Sequence, residues 1–285
     1  MKLKVALAQL KIDSPNVADD IRIAGKFVEK AAKKGAGLII FPEYILSDDP
    51  RRPGRDLKKL CKETKESLKT LQQFAKQYKI DIVSGSGIEN TKGNFYNVTH
   101  YIDRKGKVLG KYRKINLFHP ERPVLKSGDQ PTVIQTRFGK IGLTICWDLI
   151  SPELFREKIK RDAEIVICPS YWCVEDATKY GLRHSKTAEA ALIDSISVAR
   201  AFENNIIFIF VNAAGKSADG DTLVGHSQIA VPFKGAIAKL NHNRQKLLIK
   251  EINTSILDDA EKAYTVRADL GIIELQQSRS AAHRD

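Results

Sequence analysis

The sequence predicts a layered α/β fold in which sheets lie between outer helices. Short apolar runs typical of buried strands recur along the chain, and segments with apolar residues at helical spacing lie among them. Glycine or proline often separates one segment from the next. Runs of sheet with helices before and after them are typical of an α/β sandwich. No low-complexity linker or break in composition divides the 285 residues, so we expect one domain over residues 1–275 and a polar tail over residues 276–285.

The first half of the chain begins with a strand followed by an amphipathic helix. Residues 3–10 alternate enough in polarity for a strand, and residues 16–34 place several apolar side chains on one helical face. Gly35 and Gly37 end this helix, and residues 38–41 form a second buried strand. The pattern further predicts a helix over residues 57–78, a third strand over 82–88 and a hairpin of 97–102 and 108–112.

Predicted strands and helices also follow one another in the second half of the chain. Ser151 and Pro152 are typical of an N-cap and a first helical position, so we expect a helix over residues 152–159. Residues 165–170 form another buried strand, and the longest helix candidate covers residues 183–204. The remaining strands are predicted over residues 132–136, 140–145, 206–211, 227–232 and 246–252.

Composition and charge restrict the classes of function. The formal charge is +13, but many lysines and arginines lie in short pairs or at helical spacing among acids, which is typical of solvated helix faces. Since there is no zinc-finger or RNA-binding signature, we expect no nucleic-acid partner. No apolar run approaches the roughly 20 residues of a membrane helix, and the N-terminus lacks a signal-peptide pattern, so we expect no membrane association. Four cysteines without disulfide or zinc-ligand spacing favour a reducing cytoplasm.

Cys146 is expected at the end of the strand that precedes the 152–159 helix. At such a corner, backbone N–H groups point outward and the helix dipole favours negative charge. The setting predicts a lowered thiol pKa and donors for an oxyanion. The alternative is a buried structural cysteine, because free cysteine is among the most buried residue types.

Two more polar residues follow apolar segments, namely Glu43 after residues 38–41 and Lys114 after residues 108–112. Strand ends of an α/β sheet are where ligand crevices form. If the two side chains converge with Cys146, the carboxylate can take the thiol proton and return it to a leaving nitrogen, while the ammonium holds the oxyanion. Taken singly, Glu43 could be an exposed turn acid and Lys114 a solvated loop charge.

Three motifs around these residues, in this order, resemble the nitrilase superfamily of carbon–nitrogen hydrolases: Phe41-Pro42-Glu43-Tyr44, Lys111-Tyr112-Arg113-Lys114-Ile115-Asn116-Leu117 and Thr144-Ile145-Cys146-Trp147-Asp148. Supporting segments are His119-Pro120-Glu121, Ser127-Gly128-Asp129, Pro169-Ser170-Tyr171-Trp172, Arg200-Ala201-Phe202-Glu203-Asn204 and Gly225-His226-Ser227. The resemblance spans about residues 3–252. It implies an αββα sandwich, usually dimerised or further assembled into αββααββα layers. It implies no metal and no organic cofactor.

The resemblance also implies a role for each site residue. Glu43 matches the general base, Lys114 the oxyanion lysine and Cys146 the nucleophile. Glu121 matches a second glutamate that positions substrate and the lysine in some members. Trp147, whose N–H would be the second oxyanion donor, and Trp172 are expected to help position the substrate.

One position departs from the family pattern. Many members carry an arginine shortly after the Cys-aromatic-acid triplet, where this chain has Leu149-Ile150-Ser151. This departure puts the anchoring of the following helix and the electrostatics of the pocket in doubt, but not the Glu–Lys–Cys triad.

The function implied is an amidase that releases ammonia from a small aliphatic or ω-amide through a thioester on Cys146. True nitrilases of the superfamily tend to carry Cys-Trp-Glu and a longer C-terminal extension, whereas this chain has Cys-Trp-Asp. An N-carbamoyl amino acid or related carbamoyl compound is the nearest competing substrate, a nitrile is the next, and a catalytically dead binding module is the non-enzyme alternative. A rival Cys–His mechanism has no papain-like or caspase-like context at any of its candidates, His100, His119, His184 and His226.

Assembly and pocket shape are expected from particular segments. We expect a homodimer or larger assembly that involves residues 152–160 and part of the C-terminal arm. The loops expected to shape the substrate pocket are residues 47–55, 117–128, 171–180 and 215–225.

Overall fold

Two six-stranded sheets packed between helices form the core of the computed structural model, which describes residues 1–12 and 16–272. The strands are β1 (Lys2–Gln9), β2 (Leu38–Ile40), β3 (Asp81–Thr91), β4 (Asn94–Ile102), β5 (Val108–Arg113), β6 (Val133–Thr136), β7 (Gly139–Leu143), β8 (Ile165–Ser170), β9 (Ile207–Asn212), β10 (Gln228–Val231), β11 (Gly235–Lys239) and β12 (Lys246–Asn253). The helices are α1 (Val17–Lys33), α2 (Leu57–Tyr78), α3 (Pro152–Lys160), α4 (Thr178–Leu182), α5 (Ala188–Glu203), α6 (Ile256–Tyr264) and α7 (Val266–Asp269).

The strand order of each sheet places its parallel strands at the centre. The first sheet runs β12-β1-β2-β3-β4-β5 and the second runs β11-β10-β9-β8-β7-β6. In the first sheet β1, β2 and β3 are parallel, and in the second β7, β8 and β9 are parallel. Because parallel strands end at the same edge of a sheet, the residues that follow β7 and β8 in the second sheet emerge close together.

Alternation along β1 explains how the layers stack. Val5 and Leu7 belong to the buried cluster between the two sheets, whereas Ala6 and Ala8 belong to the cluster that packs under α1 and α2. Side chains of one strand thus cover both faces of the first sheet, as expected for a strand buried on both sides. Helix α5 packs against β9 and β10 on the outer face of the second sheet. The predicted αββα sandwich is confirmed.

Most of the predicted elements are present, with three differences. Every predicted strand exists with ends shifted by at most three residues, and α2 has the predicted bounds. The prediction of one helix over residues 183–204 is wrong, because α5 starts only at Ala188 and the separate helix α4 precedes it. It is also shorter than α2, which has 22 residues. Strand β11 and the helices α6 and α7 were not predicted, since β11 has only five residues, two of them alanine and one glycine, and the two helices are short and carry many polar residues.

Some predictions concern parts of the chain outside the described residues. The polar tail expected over residues 276–285 lies there, as do residues 273–275 of the expected domain. Along residues 1–12 and 16–272, every helix is too short or too polar to cross a bilayer.

Candidate active site

The backbone brings three predicted residues to one place by three different routes. Glu43 follows β2, and its N–H donates to Ser170 O at 3.3 Å, across to the second sheet. Lys114 directly follows β5, and its N–H donates to Asn97 O of β4 at 2.9 Å. Cys146 comes three residues after the end of β7. All three line one small closed cavity between the sheets.

The Lys114 ammonium lies between two buried carboxylates. Its Nζ is 2.9 Å from Glu43 Oε1 and 2.7 Å from Glu121 Oε2, and all three side chains are about 1 % exposed. Asn97 Nδ2 donates to Glu43 Oε1 at 2.8 Å and to Glu121 Oε1 at 3.1 Å. The structure therefore places Glu121 beside Glu43 and Lys114. A lone acid in a proline-containing loop gave only a weak signal for this position.

Glu121 is held by groups that fix both of its oxygens. Tyr44 OH donates to Oε1 at 2.6 Å and the Phe118 N–H donates to Oε2 at 2.8 Å. Burial alone would raise the pKa of Glu121, but the Lys114 ammonium and these hydrogen bonds outweigh it and hold that pKa below its ordinary value. Glu121 is thus a fixed negative charge next to Lys114.

The pKa of Glu43 is raised, in contrast to that of Glu121, so Glu43 is suited to accept a proton. Burial raises its pKa, and the charge of Glu121 raises it further against the attraction of Lys114. Its second oxygen, Oε2, accepts the Tyr171 N–H at 2.9 Å. The Cys146 thiol lines the same cavity and acts on this carboxylate, lowering its pKa against the effect of burial. The arrangement is that of a base in contact with a thiol.

The pKa of the Cys146 thiol is well above its ordinary value, so the predicted lowering is wrong. Burial is the main cause, and the nearby Glu43 carboxylate adds to it. The residues after the thiol, Cys146–Ile150, form a 3₁₀ turn, and α3 begins only at Pro152. Cys146 therefore does not stand at the first turn of an α-helix, and the resting side chain is the neutral thiol.

The backbone of Cys146 is in the left-handed region, with φ 46°. This conformation is uncommon for a residue other than glycine and persists only where the surroundings enforce it. Asp148 supplies part of that constraint, because its Oδ2 accepts the Ile145 N–H at 2.9 Å and the Tyr112 hydroxyl at 2.8 Å. Its Oδ1 accepts the Asn116 N–H at 2.8 Å. Asp148 thus ties the turn that carries Cys146 to the segment that carries Lys114.

The helix after the nucleophile turn is anchored without the arginine expected from the family pattern. Arg200 of α5, which is buried, donates from Nε to Leu149 O at 3.0 Å. Its guanidinium carbon also lies 5.1 Å from the centre of the Phe155 ring in α3. The anchoring left in doubt by Leu149-Ile150-Ser151 therefore comes from another helix.

Two tryptophans, Trp147 and Trp172, form part of the cavity wall. The rings of Trp147 and Trp172 are 5.3 Å apart, and Phe118 lies 4.8 Å from Trp147 on its other side. Trp172 is fully buried, and its indole N–H donates to Glu189 Oε2 at 2.5 Å. The two indoles are therefore fixed against each other, whereas Trp147 is only partly buried.

Two charged wall residues, Arg51 and Asp176, were not predicted individually. Both line the cavity of Cys146, and both also line an adjoining open pocket of about 330 Å³. Arg51 pairs with Asp49 in a bidentate manner, because its Nε donates to Oδ1 at 2.9 Å and its Nη2 donates to Oδ2 at 2.6 Å. Burial raises the pKa of Asp176 to about 7. Their loops were expected to shape the pocket, but sequence alone does not show which side chains point inward.

The histidines of the rival mechanism lie elsewhere. His119 lines the open pocket, His100 pairs with Glu89 and His226 pairs with Asp194. Among the residues that the structure describes, no histidine lines the Cys146 cavity, and no three His, Cys, Asp or Glu side chains are grouped to hold a metal ion. The base in contact with the thiol is Glu43.

Comparison with known proteins shows the family of the chain and proteins that share its fold. Residues 4–261 match the carbon-nitrogen hydrolase family. An omega-amidase of Saccharomyces cerevisiae is 26% identical over 277 residues, which cover 92% of this chain and 91% of that protein. A solved carbon-nitrogen hydrolase from Helicobacter pylori superposes with a TM-score of 0.80 at 22% identity, over 94% of this chain and 95% of that one. A solved amidase from Nesterenkonia sp. gives a TM-score of 0.74 at 22% identity, over 94% and 95% of the two chains.

Proposed function

The chain belongs to the carbon–nitrogen hydrolase family, and we propose that it is an amidase that releases ammonia from a small aliphatic or ω-amide. The observation that carries the proposal is the closed cavity in which the Lys114 ammonium lies between two carboxylates beside the Cys146 thiol. A base, an oxyanion donor and a nucleophile in contact are the groups that acyl transfer needs.

The first half of the reaction forms a thioester. Glu43 takes the Cys146 proton as Sγ attacks the amide carbon, and the negative charge moves to the carbonyl oxygen. Lys114 Nζ and the Trp147 N–H stabilise that oxyanion. The tetrahedral adduct then collapses, the C–N bond breaks, and the nitrogen leaves as ammonia with the proton that Glu43 returns.

The second half hydrolyses the thioester. Glu43 accepts a proton from a water molecule, whose oxygen attacks the acyl carbon. The C–S bond breaks, the carboxylic acid leaves, and Sγ regains its proton. Glu121 stays charged throughout and keeps Lys114 in place, because Lys114 Nζ lies 2.7 Å from its Oε2.

The acyl side of the substrate would contact the wall between the cavity and the open pocket. Arg51 favours a carboxylate on the acyl group, whereas Asp176 favours a cation, and the aromatic wall of Phe118, Trp147 and Trp172 favours apolar carbon atoms. The assay panel should therefore contain monoamides of dicarboxylic acids, amino-bearing amides and neutral aliphatic amides of equal length.

The competing substrates are separated by their products. The same panel includes N-carbamoyl amino acids and simple nitriles, and ammonia and carbon dioxide are followed separately. Ammonia without carbon dioxide from an amide supports the proposal. Ammonia with carbon dioxide indicates a carbamoyl substrate, fastest turnover of a nitrile indicates a nitrilase, and no turnover with any class supports the binding-module alternative.

We further propose a homodimer or larger assembly and a cytoplasmic location. The segment expected to meet a second subunit, α3, follows directly on the nucleophile turn. The four cysteines are all free thiols, which agrees with a reducing compartment.

A further inference from the structure

Lys158 is a fully buried lysine that the proposed reaction does not use. It lies on α3, and its Nζ is 4.4 Å from the centre of the Tyr112 ring and 3.5 Å from Thr132 O. Its stem crosses β7 at Gly142, where an added Cβ would approach Lys158 Cδ to 3.0 Å. A buried ammonium is unfavourable unless other groups compensate its charge, so this position calls for a physical reason.

Among the described residues, the carboxylate that acts on Lys158 is that of Asp148. The other charged or titratable groups that act on Lys158 are Arg161 at the end of α3, Cys168 of β8 and the Tyr112 ring of β5. Burial lowers the pKa of Lys158 to about 7, and Asp148 opposes that lowering. Asp148 is itself fully buried, and burial raises its pKa.

The contacts of Asp148 lead to both reacting groups. The Tyr112 hydroxyl, whose ring lies under Lys158 Nζ, donates to Asp148 Oδ2 at 2.8 Å. The same carboxylate accepts the N–H of Ile145, next to Cys146, and the N–H of Asn116, two residues after Lys114. A change in the charge of Asp148 would therefore alter the support of Cys146 and Lys114 together.

We propose that Lys158 is a positioning residue whose ammonium, seated on the Tyr112 ring, stabilises the Asp148 carboxylate and so holds Cys146 and Lys114 in their mutual arrangement. The effect on turnover rests on the proposed amidase function. The effect on the reactivity of the Cys146 thiol does not, and it can be measured without any amide.

The test replaces Lys158 by methionine, which keeps the length of the side chain and removes the charge. Lys160→Met is the matched control, because Lys160 lies on the same helix with its side chain 51% exposed and paired only with Glu157 in the described part of the chain. We expect Lys158→Met to lower kcat about tenfold with little change in KM, as when a group that orients a reacting residue is lost. The alkylation rate of Cys146 by iodoacetamide should fall by a similar factor.

The pH profile provides a readout that a purely structural role would not give. Removing Lys158 leaves the buried Asp148 carboxylate without its cation, so the Tm of Lys158→Met should fall, and kcat and the alkylation rate are compared at a temperature at which both proteins are fully folded. In the wild type, kcat should fall as pH rises through the pKa of Lys158, because the neutral amine no longer stabilises Asp148. This limb should be absent from the pH profile of Lys158→Met.

A second variant tests the path of the effect. Tyr112→Phe keeps the ring under Lys158 but removes the hydroxyl that donates to Asp148. If the Lys158 ammonium and the Tyr112 hydroxyl both act through Asp148, the fold-loss of alkylation rate in the double variant should be smaller than the product of the two single fold-losses. The proposal is wrong if Lys158→Met keeps the wild-type alkylation rate, if the two losses multiply, or if the rate falls only in proportion to a lowered folded fraction. If no amide is hydrolysed, the alkylation measurements still decide it.

Discussion

Replacing Glu121 by glutamine isolates the effect of one buried negative charge on the proposed base. Glutamine keeps the shape of the side chain and a carbonyl oxygen that can accept from Tyr44 OH or the Phe118 N–H. Lys114 keeps its ion pair with Glu43. What disappears is the charge that, after burial itself, raises the pKa of Glu43.

The size of this effect follows from the geometry of Asn97. Its Nδ2 donates to Glu43 Oε1 at 2.8 Å and to Glu121 Oε1 at 3.1 Å. These oxygens therefore lie no farther apart than the sum of the two distances. At about 6 Å and an effective dielectric constant of about 20, two like charges repel by about 3 kcal/mol. Removing that repulsion should lower the pKa of Glu43.

The measurement is the pH dependence of kcat/KM with a small primary amide. In Glu121→Gln the acid limb should move to lower pH, and kcat at neutral pH should fall because Glu43 becomes a weaker base. Glu157→Gln, on an exposed side chain of α3, is the control and should leave the profile unchanged. An acid limb that stays in place or moves to higher pH would refute the reasoning. A rise in KM alone would mean that Glu121 contacts the substrate and does not tune Glu43.

Four further outcomes are expected. Cys146→Ala should abolish turnover and the trapped acyl adduct seen by mass spectrometry. If a different cysteine alkylates faster than Cys146 in the wild type, the assignment of Cys146 as the nucleophile is wrong. Lys114→Ala should lower kcat on the order of 10²-fold or more and should cost about 3–5 kcal/mol of stability, since two buried carboxylates lose their cation. Glu43→Gln should lower kcat at least as much. A change in KM alone for Lys114→Ala would reassign this lysine to substrate binding. Burial raises the pKa of Glu89, but its two basic neighbours, His100 and Lys111, lower it more strongly, to about 2. The ionised Glu89 therefore contributes up to about 3 kcal/mol to the free energy of unfolding above pH 4.5, and this contribution is lost as pH falls toward 2. In denaturant titrations the stability difference between the wild type and Glu89→Gln should shrink between pH 7 and pH 3. Light scattering should give the mass of a dimer or larger, and a fully active monomer would exclude an assembly through residues 152–160.

The positions of the site residues could be predicted because they depend on strand ends. Glu43, Lys114 and Cys146 each follow an apolar run. Glu43 and Cys146 follow strands of the two parallel sets, β1 to β3 and β7 to β9, whereas Lys114 follows β5, which pairs antiparallel with β4. The direction of the thiol pKa could not be predicted in the same way. It depends on the depth of the cavity and on the contact with Glu43, and both arise only from packing of the two sheets.

The buried lysine illustrates a different limit of sequence reasoning. Lys158 stands among charged residues at the end of α3 and resembles a solvated helix residue. Yet the buried residues of this helix are Leu154, Phe155, Lys158 and Ile159, and this spacing places Lys158 on the apolar face. The periodicity was therefore a usable signal, whereas the partners of the charge, Tyr112 and Asp148, come from distant parts of the chain.

A raised thiol pKa is compatible with nucleophilic attack because the proton does not have to leave the site. Burial raises the pKa of both Cys146 and Glu43, so loss of either proton to solvent is unfavourable. Transfer from the thiol to the carboxylate leaves the net charge of the cavity unchanged and moves one negative charge between two side chains that line the same cavity. Lys114 stays protonated, since Glu121 and Glu43 outweigh the effect of burial on its pKa. When the oxyanion forms, the same negative charge moves again, to the oxygen that Lys114 stabilises. Each step therefore costs only the difference in the free energy of that charge between two neighbouring buried positions.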